Sequence, residues 1–389
     1  MPHPQPHRVL RRIGHLLVVL GLVGCTLSTG ASQPKQASTA ALFAPGEVIA
    51  LVPDRRAAAR VRQRGAAAGF TLLEEVPLAA LNLHMLRFSY AAPYEGPSAI
   101  AALEAADAVV TAGINHAYRV AALPGKSQFD YADALIQWPE GGCRGAVPIG
   151  LLDTDLDPQR FAAAETAIVA KSFVRGNDAP PTHGSDVAAV LLNPERLPGA
   201  RLFSAAVVEG SGRQSGMAGV DSLIEGLDWL AGQGVKVVNI SLSGPYNKLL
   251  DRSLKTAAQQ GMVLVAAVGN DGPEAAPQFP AALDEVIAVT AVDGNREVYR
   301  KAVQGAHVDI AAPGVDIAIP NAKSLHFVTG TSIAAPFVTA RIASDPQLAG
   351  QPVAVIRQVL SQTAEDLGPE GRDDIYGHGL LRAPSVCRK

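Results

Sequence analysis

Cysteine is scarce in this chain of 389 residues: there are three, too few for a disulfide scaffold at this length. An excess of either charge is also missing. Lys and Arg number 33 against 36 Asp and Glu, so the formal net charge is −3 and no basic footprint for nucleic acid exists. Long apolar runs are lacking, and the one clear run, residues 16–24, is too short to span a bilayer as a helix. His307, His326 and His378 fit no metal-ligand spacing, and nothing recommends His84 or His116 as ligands. A G-x-S-x-G elbow is absent, which argues against an α/β-hydrolase. What remains is a chain 48% hydrophobic and 18% charged, long enough for one large globular domain and a smaller one.

The first 25 residues read as an address. Arg8, Arg11 and Arg12 precede the apolar run, which ends at Cys25. Leu22-Val23-Gly24-Cys25 resembles the bacterial lipobox, which implies lipidation of Cys25 and a membrane tether rather than a span. The expectation is an exported, periplasmic or outer-membrane-anchored lipoprotein, with a secreted protein carrying an ordinary signal peptide as the alternative. Cys143 and Cys387 are then left; an oxidising compartment would let them pair, which spacing alone does not decide. Residues 26–46, rich in Ser, Thr, Ala, Gln and Pro, read as a linker.

Residues 47–120 read as a small domain. EVIALVP (47–53) predicts a strand and RRAAARVRQRGAAAG (55–69) a helix. LAALNLHMLRFS (78–89) alternates as a strand, residues 97–109 follow helical spacing, and 110–120 close with a strand. The order β-α-β-α-β suggests a ferredoxin-like α+β unit. Residues 121–140 are the expected connector, and 141–389 a second, larger domain.

In that larger domain apolar strand runs at 147–152, 235–243, 262–270 and 286–292 alternate with helical segments, predicting a largely parallel sheet flanked by helices. Chemistry in such sheets gathers at the carboxyl ends of strands. Asp153 ends the first run, where it could start a turn or orient a histidine. His183 stands near a helix start with an ordinary pKa near neutrality. Asn270 closes the third run in a turn-rich cluster. Gly330-Thr331-Ser332 opens a helix that is small and apolar on every side, as suits a domain centre. A serine there meets the positive end of the helix and can act as a nucleophile if a base reaches it.

Four motifs in the order Asp153, His183, Asn270, Ser332 resemble those of the subtilisin-like serine proteases, the subtilases. Asp153-Thr154-Asp155 is similar to their Asp-Thr/Ser-Gly, with Asp155 where glycine is usual. His183-Gly184-Ser185 resembles His-Gly-Thr, and Gly330-Thr331-Ser332-Ile333-Ala334-Ala335-Pro336 matches the nucleophile motif at every fixed position. The resemblance implies a subtilisin-like fold and a serine endopeptidase working through Ser332, His183 and Asp153, with Asn270 as oxyanion donor. It further implies that Ser241, Leu242, Ser243 and Gly244 bind peptide or protein substrates in extended form. By position, the small domain resembles an inhibitory propeptide, cut within or near 123–140. No cofactor is required on this reading; calcium is common in the family, with no ligands assigned here. The competing reading is a non-catalytic, peptide-binding subtilase-like protein of the cell envelope, in which Asp155 misplaces the acid.

Overall fold

The computed structural model describes residues 44–120, 123–124, 131–161, 167–212, 215–321, 324–385 and 387. The segment expected as an export signal, Cys25 and nearly all of the expected linker lie outside them. Among the described residues no helix is long and apolar enough to cross a membrane.

The small domain runs β1 (Glu47–Val52), α1 (Arg55–Ala67), β2 (Thr71–Leu78), β3 (Leu83–Ser89), α2 (Gly96–Ala106), β4 (Thr111–Ile114). Its antiparallel sheet has the order β2-β3-β1-β4. One strand more is present than the sequence suggests. TLLEEVPL of β2 mixes charge into a half-exposed strand and so lacks clean alternation. Both faces of β1 are covered, which explains its unbroken apolar run. Val48, Ala50 and Val52 pack under α1 and α2 with Leu86, Phe88 and Leu103. Ile49 and Leu51, with Met85 of β3, face the other way and belong to the core of the larger domain. Each such side chain is worth about 1.5–3 kcal/mol when buried, so the small domain is held by apolar docking.

After Ile114 the chain leaves this sheet. The segment 110–120, expected as one strand, divides at Asn115 and continues as β5 (Ala117–Val120) in a different sheet. Asn115 is fully buried, and its Oδ1 accepts from the Val220 N–H at 2.7 Å. Val220 opens a helix whose own N-cap side has only Gly219, so Asn115 caps that helix from another domain.

The remaining elements are β6 (Leu123–Pro124), α3 (Ala132–Leu135), β7 (Ile149–Asp153), β8 (Ala167–Ser172), α4 (Thr182–Leu191), β9 (Arg201–Ala206), β10 (Val208–Glu209), β11 (Met217–Gly219), α5 (Val220–Gly232), β12 (Val237–Ile240), β13 (Leu242–Ser243), α6 (Lys248–Gln259), β14 (Val263–Ala267), β15 (Val286–Val292), β16 (Ile310–Pro313), β17 (Ile317–Asn321), β18 (Ser324–Thr329), α7 (Thr331–Ala343) and α8 (Val353–Thr363). Seven of these strands form one parallel sheet, β16-β15-β14-β12-β7-β9-β8. From β7 the chain builds outward to β9 and β8, then returns beside β7 at β12 and builds the other way. The reversal between β7 and β12 opens a crevice at their carboxyl ends, where a site is favoured.

Two expectations change in detail. Residues 235–243 are not one strand: β12 is central in the large sheet, and β13 belongs to a separate small sheet of order β10-β11-β5-β13. β8, β9 and β16 are additional strands. α7 matches its expected setting: all thirteen of its residues are buried, and it packs against β12, β14, β15 and β16. Cys143 and Cys387 form a disulfide with Cα atoms 5.1 Å apart, joining positions 244 residues apart near the two ends of the larger domain.

Candidate active site

The crevice gathers the four expected groups on four elements. Asp153 is the last residue of β7, His183 the second of α4, Ser332 the second of α7, and Asn270 follows β14. α4 packs directly against α7, which brings the histidine helix to the serine helix.

Asp153 is fully buried. Its Oδ1 accepts from the Thr154 N–H at 2.7 Å and lies 2.6 Å from His183 Nδ1. Facing a carboxylate, Nδ1 carries the proton, which leaves Nε2 as the lone-pair end of the ring. Nε2 is buried without a hydrogen-bond partner among the described residues. Burial pushes the His183 imidazolium down, but Asp153 beside it, with Asp186 further off, outweighs burial and leaves its pKa raised.

Local chemistry holds this pair. Thr154 Oγ1 accepts from the Gly184 N–H at 2.8 Å, tying the β7 turn to the first turn of α4. A Cβ on Gly184 would lie 2.5 Å from the Thr154 carbonyl oxygen, so only glycine can follow His183 here. Asp155, the departure noted in the sequence, turns aside: its Oδ1 accepts from the Leu156 N–H at 2.8 Å. The second carboxylate that acts on His183 is Asp186, one turn along α4. Asp186 Oδ1 accepts from Arg160 Nη1 at 2.7 Å and lies 2.9 Å from His326 Nε2 on β18. Sequence reasoning passed over Asp186, since its partners lie 26 and 140 positions away.

α7 contains Pro336, which has no N–H to give the carbonyl four residues earlier. That carbonyl belongs to Ser332, and Ser241 Oγ donates to it at 2.8 Å. Ser241 in turn accepts from Asn239 Nδ2 at 2.8 Å, and Asn239 Oδ1 accepts from Thr339 Oγ1 at 3.1 Å. This buried polar chain fixes the serine turn against the end of β12. It also gives Ser241 a support role beyond the substrate contact expected of it.

Asn270 is oriented by Thr331. Its Oδ1 accepts from the Thr331 N–H at 3.1 Å and from Thr331 Oγ1 at 3.0 Å. The opposite end of the amide, Nδ2, is buried without a partner among the described residues. An orphaned buried donor costs about 1–3 kcal/mol, and an incoming oxygen would relieve it. The Ser332 N–H lies in the first turn of α7, at the positive end of the helix. Together these two donors suit an oxyanion.

Leu242 and Ser243 form β13, and Gly244 exchanges backbone bonds with Phe279 at 2.9 and 2.8 Å. β13 does not stand free. β5 lies between it and β11, with Val120 opposite Leu242, Arg119 opposite Ser243 and Met217, and Tyr118 opposite Ala218. Tyr118 is fully buried against Gly244, and its hydroxyl donates to the Pro245 carbonyl at 3.0 Å. β6 then pairs with β18, Leu123 opposite Thr329 and Pro124 opposite Val328. Among the described residues no group of three or more His, Cys, Asp or Glu could hold a metal ion, and no step is assigned to one.

The subtilase family model matches residues 144–379. Subtilisin DY of Bacillus licheniformis is 32% identical over 270 residues, which cover 64% of this chain and 93% of that protein. The minor extracellular protease Epr of Bacillus subtilis is 27% identical over 255 residues, covering 63% of this chain; the chain spans only 39% of Epr. Among solved structures, fervidolysin from Fervidobacterium pennivorans, described as a keratinolytic enzyme related to subtilisin, superposes with a TM-score of 0.71 at 19% identity. That likeness of fold covers 88% of this chain and 60% of fervidolysin.

Proposed function

The chain belongs to the subtilase family, and we propose that it is a serine-type endopeptidase that works through Ser332, His183 and Asp153 and is made as a self-inhibited precursor. Ser332 Oγ attacks the peptide carbonyl while His183 Nε2 takes its proton. Asp153 supports the imidazolium, and Asn270 Nδ2 with the Ser332 N–H receives the oxyanion. His183 then protonates the leaving amine, and water releases the acyl-enzyme by the reverse proton path.

The observation that carries the precursor reading is the path of β5 and β6. The chain occupies the groove between β11 and β13 in the extended, backbone-paired form that a sequence-tolerant protease uses for substrates. It then re-pairs with β18 just ahead of Gly330-Thr331-Ser332. Upstream, Val120 stands opposite Leu242, next to Ser241; downstream, Leu123 stands opposite Thr329, next to Gly330. Both flanks of the nucleophile are thus held by one continuous chain, and the cut falls between Val120 and Leu123, at the upstream edge of the connector expected from the sequence. Residues 47–120 are then the inhibitory domain, and the rest of the connector stays with the larger domain.

Export rests on the N-terminal segment and on the disulfide, a bond of oxidising compartments. Tethering through Cys25 rests on the lipobox resemblance. Wild type and Ser332→Ala test the central reading. Wild type should yield a mature form with a new N-terminus at residue 121, 122 or 123 that a fluorophosphonate labels, while Ser332→Ala accumulates uncut and unlabelled. Equal processing in both would assign the cut to another protease, and an unlabelled mature wild type would leave a peptide-binding protein.

A further inference from the structure

We infer that Gln278 closes the pocket for the residue that supplies the attacked carbonyl, restricting this endopeptidase to cutting after small side chains. The inference rests on the function proposed above. A chain paired with β13 advances past Leu242 towards Ser241, and the next carbonyl must reach Asn270 Nδ2 and the Ser332 N–H. The side chain on that residue therefore falls between Ser241–Ser243 on one wall and Gly269–Asn270 on the other.

That space holds the Gln278 carboxamide. Gly269 has φ +99°, and a Cβ built on it would collide with Gln278 Oε1 and lie 2.6 Å from its Cδ. Ser243 Oγ stands 3.3 Å from the same point, so both walls and the glutamine converge there. Gln278 is held at both ends. Its Nε2 donates to Asp271 Oδ2, and the following residue, Phe279, is locked to Gly244 by the reciprocal backbone bonds. Oε1 is buried without a partner among the described residues. Of the proposed cuts, those that leave residue 122 or 123 as the new N-terminus follow Ala121 or Ala122, which a shortened pocket accepts.

Mature enzyme, with active sites counted by fluorophosphonate labelling, should be assayed on peptides differing only in the residue before the scissile bond: Ala, Leu or Phe. Wild type should favour Ala over Phe by at least about 10-fold in kcat/KM, in keeping with the discrimination a methylene or more commands in a closed pocket. Gln278→Gly should reverse the ratio in favour of Leu or Phe, while Gln278→Leu, which keeps the bulk, should retain it. A labelled wild type that prefers Phe or Leu overturns the inference whether or not the variants fold. A Gln278→Gly enzyme with an unchanged ratio does the same. Wild type that neither cuts any of the peptides nor takes the label overturns instead the endopeptidase reading beneath it.

Discussion

Beside its apolar contact, the small domain meets the larger one at a charge cluster whose balance depends on pH. Arg175 pairs with Glu74 of β2 at 2.5 Å and with Asp221 and Glu225 of α5 at 3.0 and 2.6 Å. Arg87 of β3 meets Glu47 at 2.9 Å, Glu74 at 3.1 Å and Asp221 at 3.9 Å. Four carboxylates thus face two guanidiniums, and the last carboxylate to ionise enters an already negative site. Glu225 is that group. Burial pushes it up to about 7, Asp221 and Glu74 add to the rise, and Arg175 opposes it. Because the folded value is raised, the stabilisation is fully present below the ordinary 4.5 and is lost as pH climbs through about 7. A rise from 4.5 to about 7 corresponds to an upper bound of about 3 kcal/mol. About 2.5 kcal/mol of that is lost between pH 5 and 8.5, which in a protein of 389 residues is a fall in melting midpoint of roughly 3 °C.

The assay is thermal melting of the uncut Ser332→Ala precursor across that range, with and without Glu225→Gln. The amide keeps an oxygen for Arg175 and cannot ionise, so its profile should be flatter by that amount. His183, whose pKa is also raised, is common to both proteins and cancels in the comparison. Parallel profiles would refute the argument. On the precursor reading proposed above, Glu74 and Arg87 leave with the small domain, so mildly alkaline conditions would weaken the docking that keeps the cleft filled.

Two further predictions concern the chemistry. Asn270→Asp keeps the acceptor for Thr331, removes the Nδ2 donor and sets a carboxylate against the oxyanion, so kcat should fall by at least about 10²–10³, the size known for loss of such a donor in subtilisin; an unchanged kcat in titrated enzyme would remove Asn270 from the oxyanion site. The raised pKa of His183 places the acid limb of kcat/KM above pH 6.5, since only the neutral imidazole takes the serine proton. Asp186→Asn should move that limb to lower pH while Asp155→Gly leaves it in place, and a pH–rate series showing the opposite pattern would restore Asp155 as the influential carboxylate.

What could be read from the sequence, and what could not, divides along a physical line. Groups at the ends of strongly patterned elements were visible: Asp153 after a buried strand, Asn270 in the turn after another, Ser332 at the start of an all-apolar helix. Each signal is local in the chain, and so is the motif around it. Asp186 gave no such signal, because its meaning lies in Arg160 and His326, which only folding brings near. The run 110–120 reads as one strand because periodicity reports extended backbone and not which sheet receives it. Only the burial of Asn115 under α5 shows where the chain changes partners. Pro336 is the sharpest instance. Local rules say that a proline at the sixth position of a helix breaks it. In α7 the carbonyl it strands is that of the proposed nucleophile, and a hydroxyl arriving from residue 241 satisfies it. The helix tolerates its proline because the adjoining strand end supplies the missing donor. Removing that donor by Ser241→Ala would therefore disturb the serine turn through backbone geometry, without deleting any atom that touches the substrate's carbonyl.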